Sequence, residues 1–221
     1  MKSKNKVFDA GNYVTRLEKQ IPGLQDLYRI VALLLAESLP DDGEVLALGA
    51  GGGVELKAMR QEGNNWRMMA VDPSVEMIDQ AKITLDHQLS NIHFIEGYLD
   101  SAPKGPFDGA TALLVMHFLD QTLRLTTLKG IHERLKPGAP LVVFHHSFAY
   151  SDADKWLNRY ADFQISQGAI LGRNRSNIVQ MKDVLPVLSP SEDESLLYEA
   201  GFERVELFHS VLSFKGWIAY A

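Results

Sequence analysis

The chain has 221 residues, 46% apolar and 23% charged, with no cysteine and a formal net charge of −6. That length suits one α/β domain with room for an accessory segment. The missing cysteines exclude disulfides, thiolate nucleophiles and zinc–thiolate sites, and the acidic balance argues against a broad nucleic-acid footprint. No apolar core of signal-peptide length follows the basic start of the chain, and its longest apolar run, residues 30–36, is too short to cross a bilayer. A cytoplasmic protein without membrane attachment is expected.

In chain order, Leu24, Leu27, Tyr28, Ile30, Val31, Leu34 and Leu35 give a helical apolar stripe that ends at the loop signal Pro40-Asp41-Asp42-Gly43. Residues 45–48 read as the first strand, followed by a helix over 54–60. The second strand covers 67–71 and the next helix 74–85. Residues 92–95 and 107–115 read as strands three and four. A helix over 123–135 stops at Lys136-Pro137-Gly138, and 141–144 forms strand five. Ser189-Pro190-Ser191-Glu192 has the form of a capping box with proline in the first turn, opening a helix to Ala200. Two closing strands, 202–208 and 213–219, are joined by a link short enough to require antiparallel pairing.

Strands alternating with helices imply right-handed crossovers and a parallel sheet covered on both faces. The expected fold is a Rossmann-like α/β domain with a mostly parallel seven-stranded sheet and a C-terminal antiparallel hairpin. Its parts are a helical cap (1–40), a cofactor-binding core (43–148), an accessory or lid segment (149–188), and a final helix with hairpin (189–221).

Val45-Leu46-Ala47-Leu48-Gly49-Ala50-Gly51-Gly52-Gly53 carries the chemistry. A buried strand that turns sharply at glycines lets a ligand approach the main chain. Asp72, at the end of the second strand, can accept from both hydroxyls of a ribose. The dinucleotide fingerprint G-x-G-x-x-G would need a glycine where Val54 stands, and no Gly-Lys-Ser/Thr follows to make a P-loop.

The chain resembles the class I S-adenosylmethionine-dependent methyltransferases. The resemblance rests on the glycine turn at 45–53, Val71-Asp72-Pro73-Ser74 with Met77, Ile95-Glu96-Gly97, Phe107-Asp108, Leu135-Lys136-Pro137-Gly138-Ala139 and Ala200-Gly201-Phe202. It implies S-adenosyl-L-methionine as cofactor, with Gly49, Ala50 and Gly51 at its methionine part, Asp72 on the ribose, and Pro73 and Met77 beside the adenine. Gly97, Tyr98, Leu99 and Leu113 complete the implied binding set.

Within that class, Ile21-Pro22-Gly23-Leu24, the aromatic-rich segment 145–165 and Phe214-x-Gly216-Trp217 look like carboxy-S-adenosylmethionine synthases, which serve tRNA wobble-uridine modification. The chain departs from the patterns at four places. Ala47 stands where class I members usually carry an acid that orients the methionine amino group, and Tyr98 where they carry an aspartate for the adenine. Leu196 falls at the synthases' carboxylate-binding arginine and Leu113 at their strand-four asparagine; an alkyl side chain cannot pair with a carboxylate.

The expected activity is methyl transfer to a small-molecule acceptor. The alternatives are a carboxy-S-adenosylmethionine synthase-like enzyme and a nucleoside-binding relative without catalysis. His146 and His117, at the carboxyl edge of the sheet with His145, are the candidate bases. Tyr13 and Arg16 could close over the cofactor; Trp156, Tyr160 and Phe163 have the spacing of a packing stripe; Arg173 and Arg175 beside Asn174 could grip an anionic acceptor. The scattered histidines suggest no metal site. Neither nucleic acid nor membrane is expected as a direct partner, and a homodimer is possible.

Overall fold

A computed structural model describes residues 13–63, 65–168 and 173–221. Its elements in chain order are α1 (Tyr13–Gln20), α2 (Leu24–Ala36), β1 (Glu44–Leu48), α3 (Val54–Glu62), β2 (Arg67–Asp72), α4 (Val75–Leu85), β3 (Ile92–Glu96), β4 (Gly109–Leu113), α5 (Gln121–His132), β5 (Pro140–His146), α6 (Ala153–Ser166), α7 (Arg173–Val179), α8 (Met181–Val184), α9 (Pro190–Glu199), β6 (Glu203–Val211) and β7 (Phe214–Tyr220).

The seven strands form one sheet in the order β3-β2-β1-β4-β5-β7-β6. β1 to β5 run parallel, and β7 pairs antiparallel with both β5 and β6. The order reverses between β1 and β4, so a crevice opens at their carboxyl ends, where open α/β sheets place ligands.

Alternation along the strands divides the core. Val45 and Ala47 of β1, with Val142 and Phe144 of β5, pack on the face covered by α2, α3 and α6. Leu46, Leu48, Leu141 and Val143 point to the opposite face, beneath α5 and α9. This two-residue period lets one run of apolar residues fill both layers.

Local signals set the boundaries. Ser74 caps α4 by accepting from the Met77 N–H, Asp120 caps α5 through the Leu123 N–H, and Ser189 and Glu192 close the expected capping box. β4 is shorter than the run 107–115 suggests. Phe107 makes only an isolated bridge to Leu135, and Leu114 turns left-handed at φ 61°, ending the strand at Leu113. β5 is longer than expected and takes in His145 and His146, because β7 pairs with it as far as His146↔Phe214. No helix among the described residues is long and apolar enough to cross a membrane.

Candidate functional site

The turn after β1 is tied to β2 by main-chain bonds: the Gly49 and Ala50 N–H groups both donate to the Val71 carbonyl, at 2.7 and 3.1 Å. Gly49 has φ 72°, and a Cβ there would overlap Val115 Cγ2. Gly53 has φ 81°, and a Cβ there would lie 2.8 Å from the Ala81 Cα of α4. Both positions therefore require glycine, one to clear the turn after β4 and the other to let α3 start against α4.

Asp72 is buried and holds this turn. Its Oδ2 accepts from the Gly51 N–H at 2.9 Å, and its Oδ1 from the Ser74 N–H at 2.9 Å. A carboxylate has about four acceptor positions, so two stay free for ligand hydroxyls. The carbonyl of Asp72 also receives the Gly97 N–H at 3.0 Å, which draws the turn after β3 to the same place.

Around these groups lies a cleft of about 1240 Å³. Gly49, Ala50, Gly51, Asp72, Pro73, Met77, Gly97, Tyr98, Leu99 and Leu113 all stand on its wall, so every residue expected to contact the cofactor is brought to one cavity. Leu17 and Tyr28 contribute from α1 and α2, and Leu114, Val115, Phe118 and Leu119 from the segment after β4.

One wall residue escaped the sequence reading. Glu55 lies in the first turn of α3, is 6% exposed, and accepts a hydrogen bond from the Thr111 hydroxyl of β4. Burial pushes its carboxyl up to about 8; the Thr111 bond works against that rise and the Asp72 charge adds to it. Two signals in the sequence point to this pair. Glu55 precedes Met59 by four residues, on the face of α3 that packs inward, and Thr111 interrupts an otherwise apolar strand.

The histidines lie elsewhere. His117, His145 and His146 are all buried and none stands on the cleft wall. The His117 ring packs on Phe118 with centroids 4.3 Å apart, and the His146 N–H of β5 lies 3.4 Å from its Nδ1. His146 stacks on Phe214 with ring centroids 3.8 Å apart, and its Nδ1 is 2.9 Å from Ser213 Oγ. Burial and the nearby His145 lower His146 to about 3, and burial with the neighbouring histidines and Arg124 holds His117 well below the usual range. Both rings are neutral at pH 7 and packed.

His145 belongs to a buried charge cluster. Its Nε2 lies 3.2 Å from Asp193 Oδ2, and Arg124 pairs with Asp193 Oδ1. Burial alone would raise the Asp193 carboxyl, but His145 and Arg124 outweigh it and hold it low. The cluster fastens α5, α9 and β5 together on the face opposite α3.

Among the described residues, 149–188 contribute none to the cleft wall. Tyr160 packs against His146 and Phe214 under α6, and Trp156 is flanked by Lys155, Arg159 and Lys215, so the helical spacing is that of a packing stripe. Arg175 pairs with Asp162 and bonds Asn158. The side chains of Tyr13, Arg173 and Asn174 lie outside the described residues, and Arg16 is exposed on α1. Leu196 is buried with Leu197 and Phe202 in the core beneath α9, away from the cleft.

A protein family described as a methyltransferase domain matches residues 45–138, from β1 to the loop before β5. Over that segment, a little under half of the chain, the sequence is similar to methyltransferase domains. Carboxy-S-adenosyl-L-methionine synthase from Colwellia psychrerythraea is 24% identical over 240 residues, covering 98% of this chain and 92% of that one. Among solved structures, a putative O-methyltransferase from Nostoc punctiforme superposes with a TM-score of 0.68 at 21% identity, covering 90% of this chain and 56% of that one. Human N-acetylserotonin methyltransferase, solved in complex with S-adenosylmethionine, gives a TM-score of 0.59 at 16% identity over 99% of this chain and 60% of that one. This chain thus spans little more than half the length of those two solved methyltransferases. Its fold is that of the class I methyltransferases, and the matched segment 45–138 contains both the glycine turn and Asp72.

Proposed function

We propose that this chain transfers a methyl group from S-adenosylmethionine to a small-molecule acceptor. The observation that carries the reading is the convergence of the glycine turn, Asp72, Pro73, Met77 and the turn after β3 on one cleft at the point where strand order reverses. Asp72 would hold the ribose hydroxyls, Pro73 and Met77 would flank the adenine with Tyr98 and Leu99, and Gly49 to Gly51 would lie along the methionine part. The relatives' names support the same cofactor class.

When bound, the cofactor supplies an electrophilic methyl group on a sulfonium. The chain's part is to align the acceptor behind that methyl group and exclude water; holding two reactants in line can lower a barrier by about 7–11 kcal/mol. The cleft exceeds the roughly 300–1,000 Å³ of an ordinary small-molecule site, leaving room for an acceptor beside the cofactor. Leu113, Leu114, Val115 and Phe118 give that part of the wall an apolar character suited to an uncharged acceptor face. His117 and His146, neutral and turned away from the cleft, are assigned to packing around β5, and alignment is taken as the main catalytic contribution.

A second reading is favoured by the name of the Colwellia relative, which matches nearly end to end. Leu113 on the cleft wall and Leu196 in the core offer no group to a carboxylated sulfonium, so methyl transfer is preferred. Calorimetry with S-adenosylhomocysteine tests the cofactor: micromolar binding is expected, and an absence of heat at millimolar ligand would remove the proposal. Mass spectrometry of the ligand that co-purifies separates the two reactions, since a carboxylated sulfonium in place of S-adenosylmethionine or S-adenosylhomocysteine would favour the synthase.

A further inference from the structure

The floor of the cleft holds two carboxyl groups, and no basic side chain pairs with either among the described residues. Asp72 is engaged with the Gly51 and Ser74 N–H groups, and Glu55 with the Thr111 hydroxyl. The cations on the wall, Lys104, Lys129 and Arg134, come from the loop after β3 and from α5 and its end. Register fixes where Glu55 sits. Thr111 is the β4 partner of Ala47, so the Thr111 hydroxyl and the Ala47 methyl project from the same face, the one that α3 covers. Through Thr111, the Glu55 carboxyl is held over β1 and β4 at the switch point, beside the place where Ala47 presents only a methyl group.

We propose that Glu55 is the acceptor for the ammonium of the ligand's amino-acid end, positioned by Thr111 and standing in from α3 for an acid that β1 lacks. This assignment rests on the S-adenosylmethionine reading of the cleft. A buried carboxyl beside Asp72 is costly to ionise without a counter-charge, and a ligand ammonium provides one. The groups that act on it from the surrounding elements are the Thr111 hydroxyl on β4 and Asp72 on β2, whose charge disfavours a second anion. Glu55 is therefore largely protonated in the free protein at pH 7, and ligand binding drives its proton into solvent. The proton leaves the carboxyl as the ammonium arrives, so the site gains one positive charge and loses one proton.

Two ligands sharing one nucleoside test the assignment. S-adenosylhomocysteine carries the amino-acid end and 5′-methylthioadenosine lacks it. Glu55→Gln keeps an oxygen for Thr111 and removes the charge, and it is expected to weaken S-adenosylhomocysteine at least tenfold while changing 5′-methylthioadenosine by less than threefold. Equal effects on both ligands, or no effect on either, would overturn the proposal. A second measurement needs only the wild type: titrations at pH 7 in phosphate and in Tris should differ in heat by the release of about one proton per site. Affinity for S-adenosylhomocysteine should also rise by up to about tenfold per unit between pH 6 and 7.5. Heats independent of buffer would overturn it even if the variant failed to fold. A wild type that binds neither ligand removes the cofactor reading itself, whereas intact binding without a Glu55 effect removes only this assignment.

Discussion

At the scale of single residues, Asp72 and Gly49 decide whether the cleft exists. Asp72 ties Gly51 to the start of α4 and retains acceptor capacity for a ligand, so Asp72→Asn alters both tasks. Its amide can keep one backbone bond, but the charge assistance is lost, and a charge-assisted hydrogen bond contributes about 1.5–3 kcal/mol. Calorimetry should show S-adenosylhomocysteine binding weakened roughly 10- to 150-fold by that loss, with little change in far-ultraviolet circular dichroism. Gly49→Ala acts differently, because its Cβ would overlap Val115 Cγ2 at a left-handed φ. Denaturant titration should show a loss of roughly 1–3 kcal/mol in stability, and Val115→Ala in the same chain should restore only part of it, since the φ remains unfavourable. Full restoration by Val115→Ala would mean that the overlap alone mattered. Both residues were legible from the sequence because their spacing encodes backbone geometry. Glu55 was legible only as a hint, from its spacing to Met59 and from Thr111 in an apolar strand, since a single acid in a helix reads as solvated until α3 is placed over β4.

At the scale of elements, periodicity and capping signals gave most strand and helix positions, because both are local. The errors came from long-range pairing. Nothing between 107 and 115 signals that Leu114 reverses into a left-handed conformation, and nothing near His146 reveals that β7 extends β5 over it. The clamp between α5 and α9 was invisible for the same reason: Arg124 and Asp193 are 69 positions apart and each reads alone as a surface charge. In the fold both are nearly inaccessible, with side chains 1% and 2% exposed. Removing one member strands the other's charge in the core, a change that costs about 3–5 kcal/mol. Asp193→Asn should lower stability by that order in denaturant unfolding. Arg124→Met with Asp193→Leu should recover much of it, because the pair is then replaced by apolar volume. A double variant no more stable than Asp193→Asn would show that packing around the cluster, and not its charge, is what holds α9.

At the scale of the whole molecule, the buried titratable groups oppose each other in their response to pH. His146 is lowered to about 3 from an ordinary 6.5, so the unfolded chain takes up a proton below 6.5 that the folded chain refuses. Its contribution is complete above 6.5 and is lost as pH falls toward 3; His117, also held low, acts in the same direction. Glu55 is raised to about 8 from 4.5, so the folded chain holds a proton that the unfolded chain releases. Its contribution is complete below 4.5 and is lost as pH rises toward 8, by up to about 1.4 kcal/mol per unit. The two effects oppose each other between 4.5 and 6.5, and from 6.5 to 8 the loss due to Glu55 is unopposed by the histidines. Glu55→Gln removes that loss while keeping the Thr111 contact, so the variant should gain on the wild type as pH rises. Thermal unfolding at pH 5, 6.5 and 8 should show a melting-temperature difference between them that widens at each step. Saturating S-adenosylhomocysteine should narrow it at pH 8 by stabilising the ionised wild type. A difference that stays constant from pH 5 to 8 would mean that Glu55 ionises freely in the fold, and that the floor of the cleft is less dry than its burial implies.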